Sequence, residues 1–170
     1  MTEQQIYEVL EKFPDFEVRH YPDHVVAETE VGGPFEMAGN RAFPRLARFI
    51  GGHNRASRKV AMTAPVLQEE PEGGRYVVGF VMPAQMGVED LPDPSDPTVH
   101  TRVVPAHTAA ALGFSGRWSR RSFEKRSAEL LAVVAEAGLE ATGTVRYARF
   151  DPPWTPWFLR RNEVVVTVQR

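Results

Sequence analysis

The chain has 170 residues, of which 42% are hydrophobic and 25% charged, and its formal net charge is −2. These values are typical of one globular domain with its own core, and the small net charge argues against a dedicated nucleic-acid binder. Because cysteine is absent, disulfides, thiolate metal ligands and cysteine nucleophiles are excluded. No run approaches the ~18 apolar residues of a membrane-spanning helix, and the polar N-terminus lacks the pattern of a secretory signal, so we expect a cytoplasmic protein without a membrane span.

The first predicted elements are two strands. Apolar and polar residues alternate along 16–21, where Phe16, Val18 and His20 share one face, and again along 25–31. The Pro22-Asp23 pair between them is a turn signal, so the two strands are predicted to be tightly joined.

A helix is predicted next, between Gly33-Pro34 and Gly51-Gly52. Its buried stripe follows the spacing of three and four residues: Phe35, Ala38, Ala42, Phe43, Leu46, Phe49 and Ile50. Pro44 lies inside this segment. Since proline removes a backbone donor and crowds the preceding turn, we expect a kink or a split of the helix there.

Two further strands and a surface crossover follow. Residues 60–67 and 76–82 are predicted strands, and the second is apolar on both faces, which indicates a central position in its sheet. The segment 83–97 is rich in proline and acidic residues and is predicted to be a surface loop.

The second half of the chain repeats this order of elements. Its predicted strands are 99–104, 108–114, 145–150 and 163–169. Between the second and third of these, a helix is predicted from Ser119, its N-cap, to Ala137, before Gly138. The helix residues expected to face the core are Phe123, Leu130, Leu131, Val134 and Ala137.

These elements together define the predicted fold class. Paired strands indicate an antiparallel sheet, and two helices are available to cover it. The class is therefore α+β, with a curved, barrel-like antiparallel sheet and two main helices. The elements form two similar strand–helix–strand halves, about 1–85 and 98–170, which we expect to build a single domain over residues 1–170.

One segment of the chain is strongly basic. Residues 35–61 contain a single acid, Glu36, against six basic residues: Arg41, Arg45, Arg48, Arg55, Arg58 and Lys59. This pattern fits either a solvated helix face with its loop or a docking surface for an anion, because arginine grips carboxylates and phosphates with two parallel hydrogen bonds.

Several strings together resemble the SOUL haem-binding family: EVRHY, FPRLARFIGG, RKVAMTAPV, VGFVMP, GFSG and PPWTPWFLRRNEV. They occur in the family's order and extend from about Tyr7 to Val168. The resemblance implies a distorted antiparallel barrel-like sheet with two helices. It also implies binding of haem or a related tetrapyrrole. Our first hypothesis is therefore a carrier or buffer of a tetrapyrrole or another flat hydrophobic anion, and the oligomeric state stays open.

Two binding modes are implied by the resemblance. In one, His20 is an axial ligand of the haem iron; the alternative for His20 is a strand-end histidine hydrogen-bonded to the backbone. In the other, the ring lies on an apolar helix surface, and basic side chains hold its propionates.

The helix residues that match the second mode can be named. Arg48 lies at a position where the family has a basic residue directed toward a propionate. The alternative for Arg48 is a solvated surface arginine. The family's other basic position is Asn40 here, and its neighbour Arg41 lies about 100° round the helix. Phe43 and Ala47 are expected to floor the ring.

The alternative function is that of a small-molecule-binding or hydrolytic domain with Glu163 in a central pocket. The paired halves also resemble gyrase-inhibitor-like proteins and drug-sensing regulators, some of which hydrolyse small molecules with a glutamate in a central pocket. Glu163 is the matching candidate. Its competing interpretation is a structural salt bridge with Arg160, Arg161 or Arg149, and no catalytic motif supports an enzyme.

The proline-rich loop before Glu163 carries two tryptophans, Trp154 and Trp157. We expect them to cap the core or to wall a pocket.

Overall fold

The computed structural model describes residues 2–170, and the chain divides into two compact units. Unit 1 contains residues 2–5 and 23–105, and unit 2 contains residues 6–22 and 106–170. The main elements are β1 (Glu3–Gln4), β2 (Glu8–Lys12), β3 (Glu17–Tyr21), β4 (His24–Gly32), α1 (Phe35–Ile50), β5 (Thr63–Ala64), β6 (Val66–Glu72), β7 (Arg75–Val81), β8 (Val99–Val104), β9 (His107–Phe114), α2 (Arg120–Glu136), β10 (Glu140–Arg149) and β11 (Asn162–Gln169). The α+β class with two main helices is therefore confirmed.

Unit 1 is an open antiparallel sheet with α1 packed on it. The strand order is β6-β7-β4-β8, and Val26 lies opposite Val81 in the central pair. The predicted central position of β7 is confirmed. The edge of the Phe35 ring meets the Tyr76 ring, with the ring centroids 5.8 Å apart. This contact anchors the first turn of α1, because both rings are fully buried.

The helix α1 is continuous through Pro44, so the expected split is wrong. Ala42 and Leu46, on either side of the proline, are both completely buried. Their packing holds the turns on both sides of Pro44 against unit 1, although the proline cannot donate a backbone hydrogen bond. The helix ends as predicted at Gly51, and Gly52 follows with φ of +112°, a conformation that favours glycine.

Unit 2 is a five-stranded antiparallel sheet in the order β2-β3-β9-β11-β10, with α2 on one face. Leu130 and Val134 of α2 pack into a core cluster that includes Val18, Val164 and Val166 of the strands. The predicted helix caps are confirmed. The Ser119 hydroxyl accepts a hydrogen bond from the backbone N–H of Ser122, at 3.1 Å. Gly138 follows the helix with a φ of +77°.

One core assignment in α2 is wrong. Leu131 was expected to face the core but is 42% exposed, whereas its neighbour Leu130 is fully buried. The two residues lie about 100° apart on the helix, so only one of them reaches the sheet.

The strands β3 and β4 do not form a hairpin, although only Pro22 and Asp23 separate them. β3 pairs with β2 and β9, and β4 pairs with β7 and β8. The short connection is therefore a crossing from unit 2 into unit 1. Among residues 2–170, no helix is long and apolar enough to cross a membrane.

The neighbours Leu130 and Leu131 provide a matched test of the core. Leu130→Ala is expected to lower the free energy of unfolding by about 2–5 kcal/mol, because it removes buried contacts and leaves a cavity. Leu131→Ala is expected to cost under about 1 kcal/mol. Urea unfolding followed by circular dichroism measures both, and equal losses would contradict this packing of α2.

Candidate functional site

The outward face of α1 combines apolar and basic side chains. Met37, Phe43 and Pro44 are exposed there, although the opposite side of the helix is fully buried in unit 1. Ala47 is half-buried on the same outward face. Apolar side chains in this position have no core to enter, so they form a surface that an apolar ligand can cover.

Phe43 does not belong to the buried stripe in which the spacing placed it. Its side chain is 44% exposed, and its ring packs edge-on against Phe80, with 5.5 Å between the ring centroids. This contact fixes one edge of the ring and leaves the rest of it accessible. Phe43 therefore fits the predicted floor of a binding surface better than it fits the core.

The arginine side chains of α1 differ in the hydrogen bonds that they make within the chain. Arg45 donates to the Thr29 hydroxyl at 3.2 Å, and Arg41 donates to the carbonyl of Gly32 at 3.1 Å. The Arg48 side chain is exposed, and its guanidinium makes no hydrogen bond or salt bridge with any of residues 2–170. The guanidinium of Arg48 is thus the helix cation most available to a ligand carboxylate.

One carboxylate lies near these arginines. The hydroxyl and the backbone N–H of Thr98 both donate to the Asp96 carboxylate and hold its pKa below its ordinary value. The positive charges of Arg45 and Arg48 also lower this pKa. Asp96 therefore stays ionised at neutral pH and partly offsets the charge of this basic surface.

Asn40 is exposed on α1, one turn before Pro44. An amide offers hydrogen bonds but no charge, so Asn40 cannot replace the second cation of a propionate clamp. Arg41 is the nearest basic neighbour in sequence, but its side chain extends across the start of the helix. A Cβ atom on Gly33 would lie 2.4 Å from Nη1 of Arg41.

His20 lies on β3 in unit 2, whereas the other predicted haem-binding residues lie on α1 in unit 1. It is half-buried, with Glu8 opposite it on β2 and Thr108 on β9. No group of three or more His, Cys, Asp or Glu residues with metal-binding geometry occurs within the described chain. An axial-ligand role for His20 stays a prediction.

Glu163 is buried on the face of the unit 2 sheet opposite α2, where Arg19 grips it with two hydrogen bonds. Nη1 and Nη2 of Arg19 donate to Oε1 and Oε2, each at 2.7 Å. Arg161, one of the predicted partners, donates to the same carboxylate at 3.3 Å and is confirmed. Arg19 was not predicted, because 144 residues separate it from Glu163 in the sequence.

The ion pair of Arg19 and Glu163 extends to Tyr21. Nη1 of Arg19 also donates to the Tyr21 hydroxyl at 2.9 Å. Burial lowers the pKa of Arg19, but hydrogen bonding and charge attraction by Glu163 outweigh it, so the pKa of Arg19 lies above its ordinary value. Burial likewise raises the pKa of Tyr21. Both oxygens of Glu163 are thus hydrogen-bonded to a buried cation, which stabilises the ionised carboxylate as a structural partner.

The two tryptophans of the proline-rich loop do not cap the core. Trp154 is 82% exposed and Trp157 is 46% exposed. A pocket of about 370 Å³ in unit 2 is lined instead by residues that include Val18, Leu139 and Val168.

Two carboxylates on Arg19 provide a test of the buried pair. The Glu163 side chain is 6% exposed, whereas Glu17, 3.3 Å from Nε of Arg19, is 28% exposed. Glu163→Gln is expected to lower the free energy of unfolding by about 3 kcal/mol, since it removes the buried carboxylate that binds both Nη atoms of the guanidinium. Glu17→Gln is expected to cost about 1 kcal/mol or less. Urea unfolding at neutral pH distinguishes them, and equal costs would refute the assignment of Glu163 as the structural partner.

Comparison with known proteins agrees with this fold over nearly the whole chain. Heme-binding protein 1 of Xenopus tropicalis is 30% identical over 156 residues, which cover 88% of this chain and 81% of that protein. The crystal structure of the EcmrR C-terminal domain has a TM-score of 0.71 at 15% identity and covers 97% of this chain and 99% of that one. A hydrolase from Listeria innocua has a TM-score of 0.63 at 12% identity, covering 94% of each chain. At such low identity, these two structures establish a shared fold and nothing about chemistry.

The family assignment rests on the sequence itself. The model of the SOUL heme-binding protein family matches residues 2–167. This match includes both units and both main helices, so the chain belongs to the SOUL heme-binding protein family.

Proposed function

We propose that this protein binds haem or a related tetrapyrrole without catalysing a reaction on it, as a carrier or buffer in the cytoplasm. The ring would lie on the outward face of α1, over Phe43, Pro44 and Ala47, with Arg48 at a propionate. The observation that carries this proposal is the exposure of apolar side chains beside an arginine whose guanidinium makes no hydrogen bond or salt bridge with residues 2–170. Membership of the family supports the same ligand class.

The chemistry of the ligand suits such a surface. A tetrapyrrole is flat and largely apolar, so covering Phe43 and Ala47 removes apolar area from water on both partners. Its propionates are anionic, and a guanidinium pairs with a carboxylate through two parallel hydrogen bonds. Because Asn40 carries no charge, we infer a one-sided clamp in which Arg48 contributes more than Arg41.

The function of the residues follows from the same geometry. Phe43 and Ala47 supply contact area, and Arg48 sets the orientation of the ring by fixing one propionate. The edge contact between Phe43 and Phe80 would hold the aromatic floor in place without a rearrangement on binding. A preorganised surface loses less conformational freedom when the ligand binds.

Titration with haemin, followed by the Soret band, tests the proposal. The wild-type protein is expected to shift this band at micromolar haemin. Arg48→Glu is expected to weaken binding by about fivefold or more, because a favourable charge pair becomes a repulsive one. Arg58→Glu is the matched control, since it makes the same charge change in the basic segment outside α1. Equal effects of the two variants, or the absence of any shift in the wild type, would refute the proposed site.

The same titration with His20→Ala separates the two binding modes. If the ring lies on α1 as proposed, binding and the Soret position are unchanged by this variant. Loss of the Soret shift would instead assign His20 as the axial ligand and reject the helix surface as the main site.

A further inference from the structure

The loop between β10 and β11 presents a cluster of large apolar side chains to solvent. Trp154 is 82% exposed, Trp157 46%, Phe158 58% and Leu159 65%. These four residues are called the aromatic tip below. Large apolar side chains this exposed and this close together in sequence are a common sign of an interaction surface.

The loop holds its shape without burying the aromatic tip. Arg160 donates from Nε to the carbonyl of Thr155 at 2.9 Å and from Nη2 to the carbonyl of Pro153 at 2.8 Å. The backbone N–H of Thr155 donates to the carbonyl of Pro152 at 3.1 Å. Because these polar contacts order the loop, its tryptophans are not required for the internal packing of the chain and are available to a partner.

The geometry of the tip favours a fluid partner over a rigid groove. Trp157, Phe158 and Leu159 form one turn of 3-10 helix. Successive side chains of such a turn point about 120° apart, so these three radiate in different directions. A groove on another protein covers one side of a turn, whereas the interfacial region of a bilayer surrounds an inserted turn completely.

The charges at the base of the loop favour an anionic bilayer. The guanidinium of Arg117 lies 5.0 Å from the centre of the Trp157 ring, and that of Arg160 binds backbone carbonyls. Neither arginine pairs with a carboxylate of the described residues. The one acid from 150 to 162 is Asp151, which accepts the backbone N–H of Arg161. Arg117 is the exposed arginine of the two, and an arginine without a carboxylate partner beside an exposed tryptophan matches headgroup phosphates above an apolar interior.

We propose that the aromatic tip inserts reversibly into the interfacial region of an anionic lipid bilayer, with Arg117 facing the headgroup phosphates. Tryptophan suits this position because its ring is apolar and its N–H is polar. The attachment is peripheral, and it uses residues other than those of the outward face of α1.

Vesicle co-sedimentation without haemin tests this proposal. The full-length protein is mixed with vesicles of phosphatidylcholine alone or with about one-third phosphatidylglycerol. Binding is expected to the anionic vesicles, with a blue shift of tryptophan fluorescence, and to weaken as salt is added. The double variant Trp154→Ser/Phe158→Ser is expected to bind at least about tenfold more weakly, since two apolar anchors are lost.

Matched control variants distinguish a specific effect of the aromatic tip from a general effect of surface hydrophobicity or net charge on vesicle binding. Leu131→Ser removes an exposed apolar side chain on α2, and Lys125→Glu reverses an exposed charge on the same helix. Leu131→Ser is expected to bind as the wild type does, and Arg117→Glu is expected to weaken binding more than Lys125→Glu. Circular dichroism and thermal unfolding confirm that each variant is folded.

Three results would overturn the proposal. The wild type fails to bind anionic vesicles, or the tip variant binds them as well as the wild type does. In the third, analytical ultracentrifugation shows that the wild type is a dimer in solution and that the tip variant is a monomer. This result would assign the tip to contacts with a second copy of the chain.

Discussion

The packing of α1 against its sheet is the constraint on which the proposed site depends. Phe35, Leu46 and Phe49 are almost completely buried along one side of the helix, and the edge contact of Phe35 with Tyr76 fixes its first turn. A helix held this way has no freedom to rotate without opening its core. The apolar and basic residues on the other side of the helix therefore remain at the surface, in fixed positions.

The arginines of this protein occur in two contrasting environments, buried in ion pairs or exposed at the surface. Arg19 is buried and paired with Glu163 through two hydrogen bonds, so it contributes to an internal structural network. Arg48 and Arg117 are exposed, and each lies near an apolar surface without a carboxylate hydrogen-bonded to it among residues 2–170. Buried pairs hold the fold, whereas uncompensated surface cations are available to anions.

Elements with strong periodicity were predictable from the sequence, and pairings between distant residues were not. The caps at Ser119 and Gly138 followed from local rules, because they depend on neighbouring residues alone. β2 was missed because its five residues are all exposed and lack a buried face. The Arg19–Glu163 pair was missed because the sequence does not show which distant residues meet. Phe43 was wrongly placed in the core, because helical spacing does not show how far the sheet covers the helix.

The placement of the ring on α1 is tested most directly by nuclear magnetic resonance of the protein with zinc protoporphyrin, which is diamagnetic. If the ring lies on α1, the largest ring-current shifts fall on the outward side of that helix, at Phe43, Ala47 and Arg48, while the amide signals of α2 stay in place. If the largest shifts fall on β3 around His20 and α1 is unperturbed, the helix is not the binding surface.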